Sequence, residues 1–238
     1  MPSITHARSP TGVLKTLPDG RRYRLRPPRA GDQARVADCF ERLSERSRRL
    51  RFFVAKQALT GQELDFFTLT DGQDHIAVAA LALDQAGRED RLLGMARCLR
   101  LPHTPQTAEL ALAVADEAQG SGLGQALIAQ VMAAAADQGI RRLVLETALE
   151  NRAMQTLAQR CGGVGRHLGD GLLQYEIPVA APATAPIAST DRTEFWPWLG
   201  SSRLLEAWYR DWIAVADSAF LLGRDLNDGL WAALREAL

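Results

Sequence analysis

A chain of 238 residues, 47% hydrophobic and 24% charged, is long enough for one large domain or for a medium domain with an extension, and has the balance of a globular protein in water. Lys plus Arg equals Asp plus Glu at 28 each, so no net field calls for nucleic acid or an anionic membrane as partner. Three scattered cysteines (Cys39, Cys98, Cys161) make no CxxC pair and no disulfide framework, no apolar run reaches the roughly 20 residues of a bilayer span, and the first residues lack an apolar signal core, so the expected compartment is the cytoplasm.

Residues 1–12 are polar and unpatterned and are expected to be loose. Residues 13–17 and 21–26 flank Pro18-Asp19-Gly20, a turn signal, and predict a β-hairpin closed by Pro27-Pro28. Asp32 stands at the N-cap position of a helix with Val36, Phe40 and Leu43 at helical spacing, and a second helix is predicted over 61–69 with Leu64 and Phe67 inward. Strand-like runs follow at 75–83, 92–101 and 108–115. A helix over 122–138 has the stripe Leu123, Leu127, Val131, Ala134 and a Gly139 stop. The pattern continues with a strand over 142–147, a helix over 151–161 and short strands at 164–167 and 172–177. Residues 180–190 form an Ala/Pro linker, and 191–238 hold all five tryptophans, with Leu204, Trp208, Trp212 and Val215 on one helical stripe.

The segment Gln119-Gly120-Ser121-Gly122-Leu123-Gly124 carries the clearest chemistry. The strand before it alternates, with Glu109, Ala111, Ala113 and Ala115 on one face and Leu110, Leu112 and Val114 on the other. The first face is small and leaves room for something to lie against it. Glycine lets a backbone approach an oxygen closely, and the first turn of a helix offers free N–H donors and partial positive charge. Strand, glycine turn and helix together make an anion site suited to a pyrophosphate. A Walker loop is excluded because no lysine stands at the helix start, and the third glycine has the wrong spacing for a dinucleotide fingerprint.

The same segment resembles the Gln/Arg-x-x-Gly-x-Gly/Ala motif of the GNAT N-acetyltransferase superfamily, through Gln119, Gly122 and Gly124. Glu150-Asn151-Arg152-Ala153-Met154 is similar to the superfamily's second cofactor-side motif. Upstream, Arg24-Leu25-Arg26-Pro27, the run from Leu43 to Phe53, and Ala108-Glu109-Leu110-Ala111 resemble the acetyltransferase domain of Pat-type protein lysine acetyltransferases. The resemblance covers about 13–178 and leaves the tail outside it. It implies a GNAT fold of the α/β (α+β) class for 13–179, with a mixed central sheet of six to seven strands flanked by helices, followed by a C-terminal helical extension. It also implies acetyl-CoA as cosubstrate, held by Val114, Ala115, Gln119, Gly120, Ser121, Gly122, Leu123, Gly124 and Asn151. Asn151 is equally a good N-cap, and both roles can hold together.

Transfer of an acetyl group to an amine needs a base, since a lysine amine has a pKa near ~10.4 in water. Glu109 is the candidate on two grounds: it starts the cofactor-bearing strand among small neighbours, and the resemblance places the catalytic glutamate there. A solvated strand-end glutamate is the plain structural alternative. His103 is a weaker second base. A donor for the carbonyl oxygen is expected from the backbone near Val114. The helix over 151–161 lacks the tyrosine that many superfamily members use as general acid, leaving Tyr175, a water or unassisted departure of the thiolate. Arg46, Arg48, Arg49 and Arg51 read as a solvated helix end, or as a contact for an acidic protein substrate or the 3′-phosphate of CoA. The cysteines read as core fillers, and the four histidines have no metal spacing, so no metal is expected. The acceptor is expected to be a protein lysine. A small-molecule amine and a non-catalytic acyl-CoA-binding module are the alternatives. The tryptophan stripe of the tail predicts burial on the main domain or, as a homo-oligomer contact, on a second copy of the chain.

Overall fold

The computed structural model describes residues 12–54 and 56–180. The expectations for the loose N-terminus, the linker and the tryptophan-rich extension, including an oligomer contact through it, fall outside the described residues.

Eight strands form a single sheet: β1 (Val13–Thr16), β2 (Arg22–Arg26), β3 (His75–Leu83), β4 (Glu89–Leu101), β5 (Thr104–Val114), β6 (Arg142–Ala148), β7 (Val164–Gly169) and β8 (Leu172–Pro178), in the order β1-β2-β3-β4-β5-β6-β8-β7. Five helices among the described residues decorate it: α1 (Gln33–Glu41), α2 (Glu45–Phe52), α3 (Gly61–Thr68), α4 (Leu123–Asp137) and α5 (Arg152–Arg160). The count exceeds the six to seven strands expected, because both short hairpins extend the sheet. β1 pairs along β2 at one edge and β7 along β8 at the other.

Local chemistry accounts for the elements. Gly20 turns the first hairpin at φ +86°, and the Asp19 carboxylate accepts the Arg21 N–H at 3.0 Å. Thr60 and Glu63 close a capping box on α3, and Ser44 accepts the Ser47 N–H at 3.2 Å to start α2. Asp32 departs from its expected role. It stands at the N-cap of α1 without capping it, because its carboxylate is taken by Arg26 at 2.7 and 2.9 Å and by Arg35 at 2.9 Å.

The two faces of the sheet differ. One face holds the larger core, where Leu123, Leu127, Ile128 and Val131 of α4 and Ala158 of α5 pack on Ile76, Val78, Cys98, Leu110, Leu112, Leu145 and Tyr175. The other face meets α1 and α3, where Val36, Cys39, Leu64 and Phe67 gather over Ala79, Leu81 and Met95. Every neighbouring pair of strands is antiparallel except β5 and β6, which run parallel. That parallel contact is short: Thr107, Ala108 and Glu109 align with Arg142, Leu143 and Val144, and no further. Beyond Glu109, β5 stays with β4 while β6 continues beside β8, so the sheet forks and a cleft opens between the two strands.

Candidate active site

The fork fixes what each residue of β5 presents. Ala115 donates its N–H to Leu93 O at 2.9 Å, continuing a regular register in which Val114 aligns with Gly94 and Leu112 with Ala96. Hydrogen-bonded and non-hydrogen-bonded pairs alternate in an antiparallel ladder. Leu110, Leu112 and Val114 therefore turn their N–H and C=O groups away from β4 and into the cleft. The Val114 N–H stands where the sequence places an oxyanion donor. The Ala115 N–H does not, because it is committed to Leu93.

At the end of β5 the chain makes a short 3-10 turn, Asp116–Ala118, and then the glycine turn. Gly120 and Gly122 adopt φ +71° and +84°, and a Cβ on either would meet nothing within 4 Å. An open, left-handed glycine turn in front of the unsatisfied first-turn N–H groups of α4 is the geometry that receives a phosphate oxygen, so the residues present fit a CoA pyrophosphate. Gly124 has a different role: a Cβ there would come within 3.0 Å of Leu157, so this glycine lets α4 and α5 approach. Ser121 donates its hydroxyl to Ala118 O at 2.6 Å, and Leu123 is buried in the core at the start of α4.

Gln119 is tied inward. Its amide donates to Val114 O at 3.1 Å, Asp116 Oδ1 at 3.0 Å and Ser47 Oγ at 3.2 Å, while Asp116 also accepts the Ser44 N–H at 3.2 Å. These bonds fasten the start of α2 to the glycine turn. Asn151 caps α5, accepting the Met154 N–H at 3.1 Å, so the capping role holds in the structure.

Glu109 lies at the point of the fork, half-buried, on the face covered by α1–α3. Residues 109, 111 and 113 share that face with Met95, Arg97 and Leu99 of β4 and with Val144 and Glu146 of β6, by register. Burial pushes the Glu109 carboxyl above its ordinary value and the like charge of Glu146 adds to the rise, while Arg97 and Arg51 oppose it. Glu146 is raised by burial as well, against the hydrogen bond from Gln174 at 3.3 Å and the charge of Arg166. A carboxyl raised toward neutrality can exchange a proton with an amine.

Beside Glu109, a small cavity of about 50 Å³, open at its mouth, is walled by Val36, Cys39 and Phe40 of α1 and by Phe67 of α3, with Ala111 and Ala113 on the β5 side. Arg51 and Arg97 bring charge to it. Arg97 is 6% exposed and lies against two rings, 4.3 Å from the Phe66 centroid and 4.5 Å from that of Phe67. Sequence reading passed over Arg97 and Glu146. The available signal was a charge in phase with the buried positions of Leu92-Leu93-Gly94-Met95-Ala96-Arg97-Cys98.

The arginine run of α2 divides. Arg46 is exposed, Arg49 meets Glu150 at 3.5 Å across the cleft, Arg48 stacks on Phe40 at 4.6 Å, and Arg51 turns inward. His103 sits exposed in the β4–β5 turn, some six residues and ~20 Å of strand from Glu109, too far to serve the same site. Tyr175 aligns with Leu145 and is buried in the core on the opposite face, which removes it as an acid for this cleft. Cys39 reaches the cavity wall, yet burial pushes its thiol up to about 12, and Cys98 likewise to about 12, so both stay protonated fillers. No group of His, Cys, Asp and Glu among the described residues could hold a metal, and no described helix is long and apolar enough to cross a membrane.

Comparison with known proteins places this geometry. The chain is 30% identical over 161 residues to an acetyltransferase of Pseudomonas aeruginosa, covering 68% of this chain and 85% of that protein. It is 26% identical over 167 residues to the acetyltransferase Pat of Mycolicibacterium smegmatis, of which it spans only 49%. Among solved structures, the GNAT domain of S. lividans PAT superposes with a TM-score of 0.63 at 28% identity, covering 70% of this chain and 96% of that domain. Residues 39–163 match the Acetyltransferase (GNAT) family, a span that runs from the end of α1 through α5 and takes in the fork and the glycine turn. The protein belongs to that family and is an acetyl-CoA-dependent N-acetyltransferase.

Proposed function

We propose that the acceptor is a lysine side chain of a protein and that Glu109 is the general base. The observation that carries the reading is the place of Glu109: at the point of the fork, beside the acceptor cavity, with its carboxyl raised by burial and by Glu146. Acetyl-CoA supplies the acetyl group as a thioester. The backbone N–H groups of the glycine turn, from Gly120 through Gly124, hold the pyrophosphate, and Gln119 keeps that turn in shape. Asn151 fixes the start of α5 beside the cofactor arm. The Val114 N–H points into the cleft and receives the negative charge that builds on the carbonyl oxygen. Glu109 takes the proton from the amine, directly or through a water, so that a neutral nitrogen attacks. The resemblance of Arg24-Leu25-Arg26-Pro27, the run from Leu43 to Phe53 and Ala108-Glu109-Leu110-Ala111 to Pat-type protein lysine acetyltransferases supports a protein acceptor.

Labelled acetyl-CoA incubated with the enzyme and cell lysate is expected to mark protein bands. Label confined to small metabolites would replace the protein acceptor with a small amine. Glu109→Gln is expected to lower kcat/KM by about 10²–10⁴ with acetyl-CoA affinity unchanged. Tight acetyl-CoA binding with no transfer by either form would instead mark a non-catalytic acyl-CoA module. Gly122→Ala forces a Cβ onto a φ of +84° in front of the cradle, and about tenfold weaker acetyl-CoA binding by calorimetry is expected.

A further inference from the structure

We propose that Glu146 is the acceptor-docking carboxylate of this site: it takes up the ammonium of the incoming amine in the fork and sets the nitrogen between Glu109 and the Val114 N–H. This role rests on Glu109 as the base and deepens that reading. It defines the acceptor as an amine that arrives charged, and it adds a specificity residue on the strand facing Glu109.

Three observations converge. The first is placement. Val144 is the last residue of β6 paired with β5, opposite Glu109, and Glu146 stands two residues further along the same face, where β6 has parted from β5. Two residues carry a strand about 7 Å. The two strands run parallel, so Glu146 lies level with Ala111, past Glu109 and short of Val114. An amine held there is between the base and the oxyanion donor.

The second is support. Gln174, 6% exposed and opposite Glu146 on β8, donates its amide to Glu146 Oε1 at 3.3 Å. Arg166, opposite Gln174 on β7, donates to Gln174 Oε1 at 2.9 and 2.7 Å. The buried amide is fixed from both ends, and a row across three strands holds one oxygen of an exposed carboxylate. The other oxygen, Glu146 Oε2, has no hydrogen-bond partner among the described residues.

The third is charge. The charged groups lining the cavity beside Glu109, Arg51 and Arg97, are both cations, Glu109 is a counter-charge to each, and β6 contributes nothing to that wall. An ammonium is therefore met on the other side of Glu109, where Glu146 stands. Arg166 acts on Glu146 from β7 but gives its hydrogen bonds to Gln174. Arg142 and Glu176, on the same face, pair with each other at 3.6 Å. The like charge of Glu146 raises the Glu109 carboxyl, and a cation seated between the two relieves that repulsion.

The test compares Glu146→Gln with the wild type on a lysine peptide, and follows two non-reacting peptides by calorimetry, one with trimethyllysine and one with norleucine at the target position. Glu146→Gln is expected to raise the peptide KM about tenfold, with kcat largely kept and acetyl-CoA affinity unchanged. Glu146→Asp should restore part of the wild-type KM. The trimethyllysine peptide should bind Glu146→Gln more weakly, and the norleucine peptide should bind both forms alike. Equal KM values, a fall in kcat at unchanged KM, or a norleucine peptide weakened as much as the charged one would overturn the docking role; the last would mark Glu146 as structural. If Glu109→Gln keeps the wild-type kcat/KM, the base reading fails by itself, and the KM ratio at Glu146 still decides the docking role. If no peptide is acetylated, the protein-lysine reading fails by itself, and butyltrimethylammonium serves as the probe. Saturable binding that Glu146→Gln weakens then upholds the docking role, and equal binding or none overturns it.

Discussion

Arg26 and Arg97 lie on the same face of the sheet, at 2% and 6% exposure, and their surroundings are opposite. Arg26 is held by Asp32 at 2.7 and 2.9 Å and by Glu89 at 2.6 Å, with Arg24 and Arg35 completing the network. Burial alone would lower the Arg26 pKa, but the bonds to Asp32 and Glu89 raise it, and those from Arg26 bring the Glu89 carboxyl down to about 2. Arg97 instead faces a cavity, and burial holds its pKa well below the ordinary value. A buried charge matched within the chain fastens elements together. Arg97, seated against the rings of Phe66 and Phe67, gains orientation from their faces.

That contrast can be broken by substitution. Arg26→Met leaves Asp32, itself 2% exposed, without its main cation and should cost about 3–5 kcal/mol in urea unfolding. Arg97→Met should cost less, about 1–2 kcal/mol, because it removes contacts with the faces of two aromatic rings where Arg26→Met breaks ion pairs to two carboxylates. Comparable losses in both variants would erase the distinction.

Acid unfolding sharpens it further. Asp32 and Glu89 are held below their unfolded values of about 3.9 and 4.3. A depressed carboxyl contributes stability that is present above the unfolded pKa and lost as pH falls through the folded one. The wild type should therefore lose melting temperature between about pH 4.5 and pH 2, and Arg26→Met should flatten that slope.

Glu109 has the opposite sign. Its carboxyl is raised, so the acid limb of kcat/KM should lie above the range of an ordinary glutamate. Glu146→Gln removes the like charge and should move that limb to lower pH, while a merely structural role would leave its position alone. The smallest effect is expected at the exposed Arg49–Glu150 pair, 3.5 Å apart across the cleft, where Arg49→Ala should change stability by under about 0.5 kcal/mol in the same unfolding assay.

Much of the frame was legible because it is written in local patterns. The two-residue period of Ala108 to Ala115 separates its small and bulky faces, the glycine spacing after it excludes other phosphate loops, and the stripe of α4 is continuous over Leu123, Leu127 and Val131. These signals need only neighbours in the chain. The glycine turn is therefore legible from sequence as an anion site, and its cofactor class through the family resemblance that the motif carries.

What tertiary structure decided involves residues far apart in sequence. Asp32 looks like an N-cap until Arg26, held from its other side by the distant Glu89, takes its carboxylate. Gln119 reads as a motif residue of the glycine turn, and only the fold brings Ser47, some seventy residues earlier, to accept its amide. The arginines of α2 look alike, and only the fold sends Arg51 inward beside Arg97. Periodicity shows which way a side chain faces. It does not show what waits on the other side, because that depends on strand order and on where the sheet forks between Glu109 and Val144.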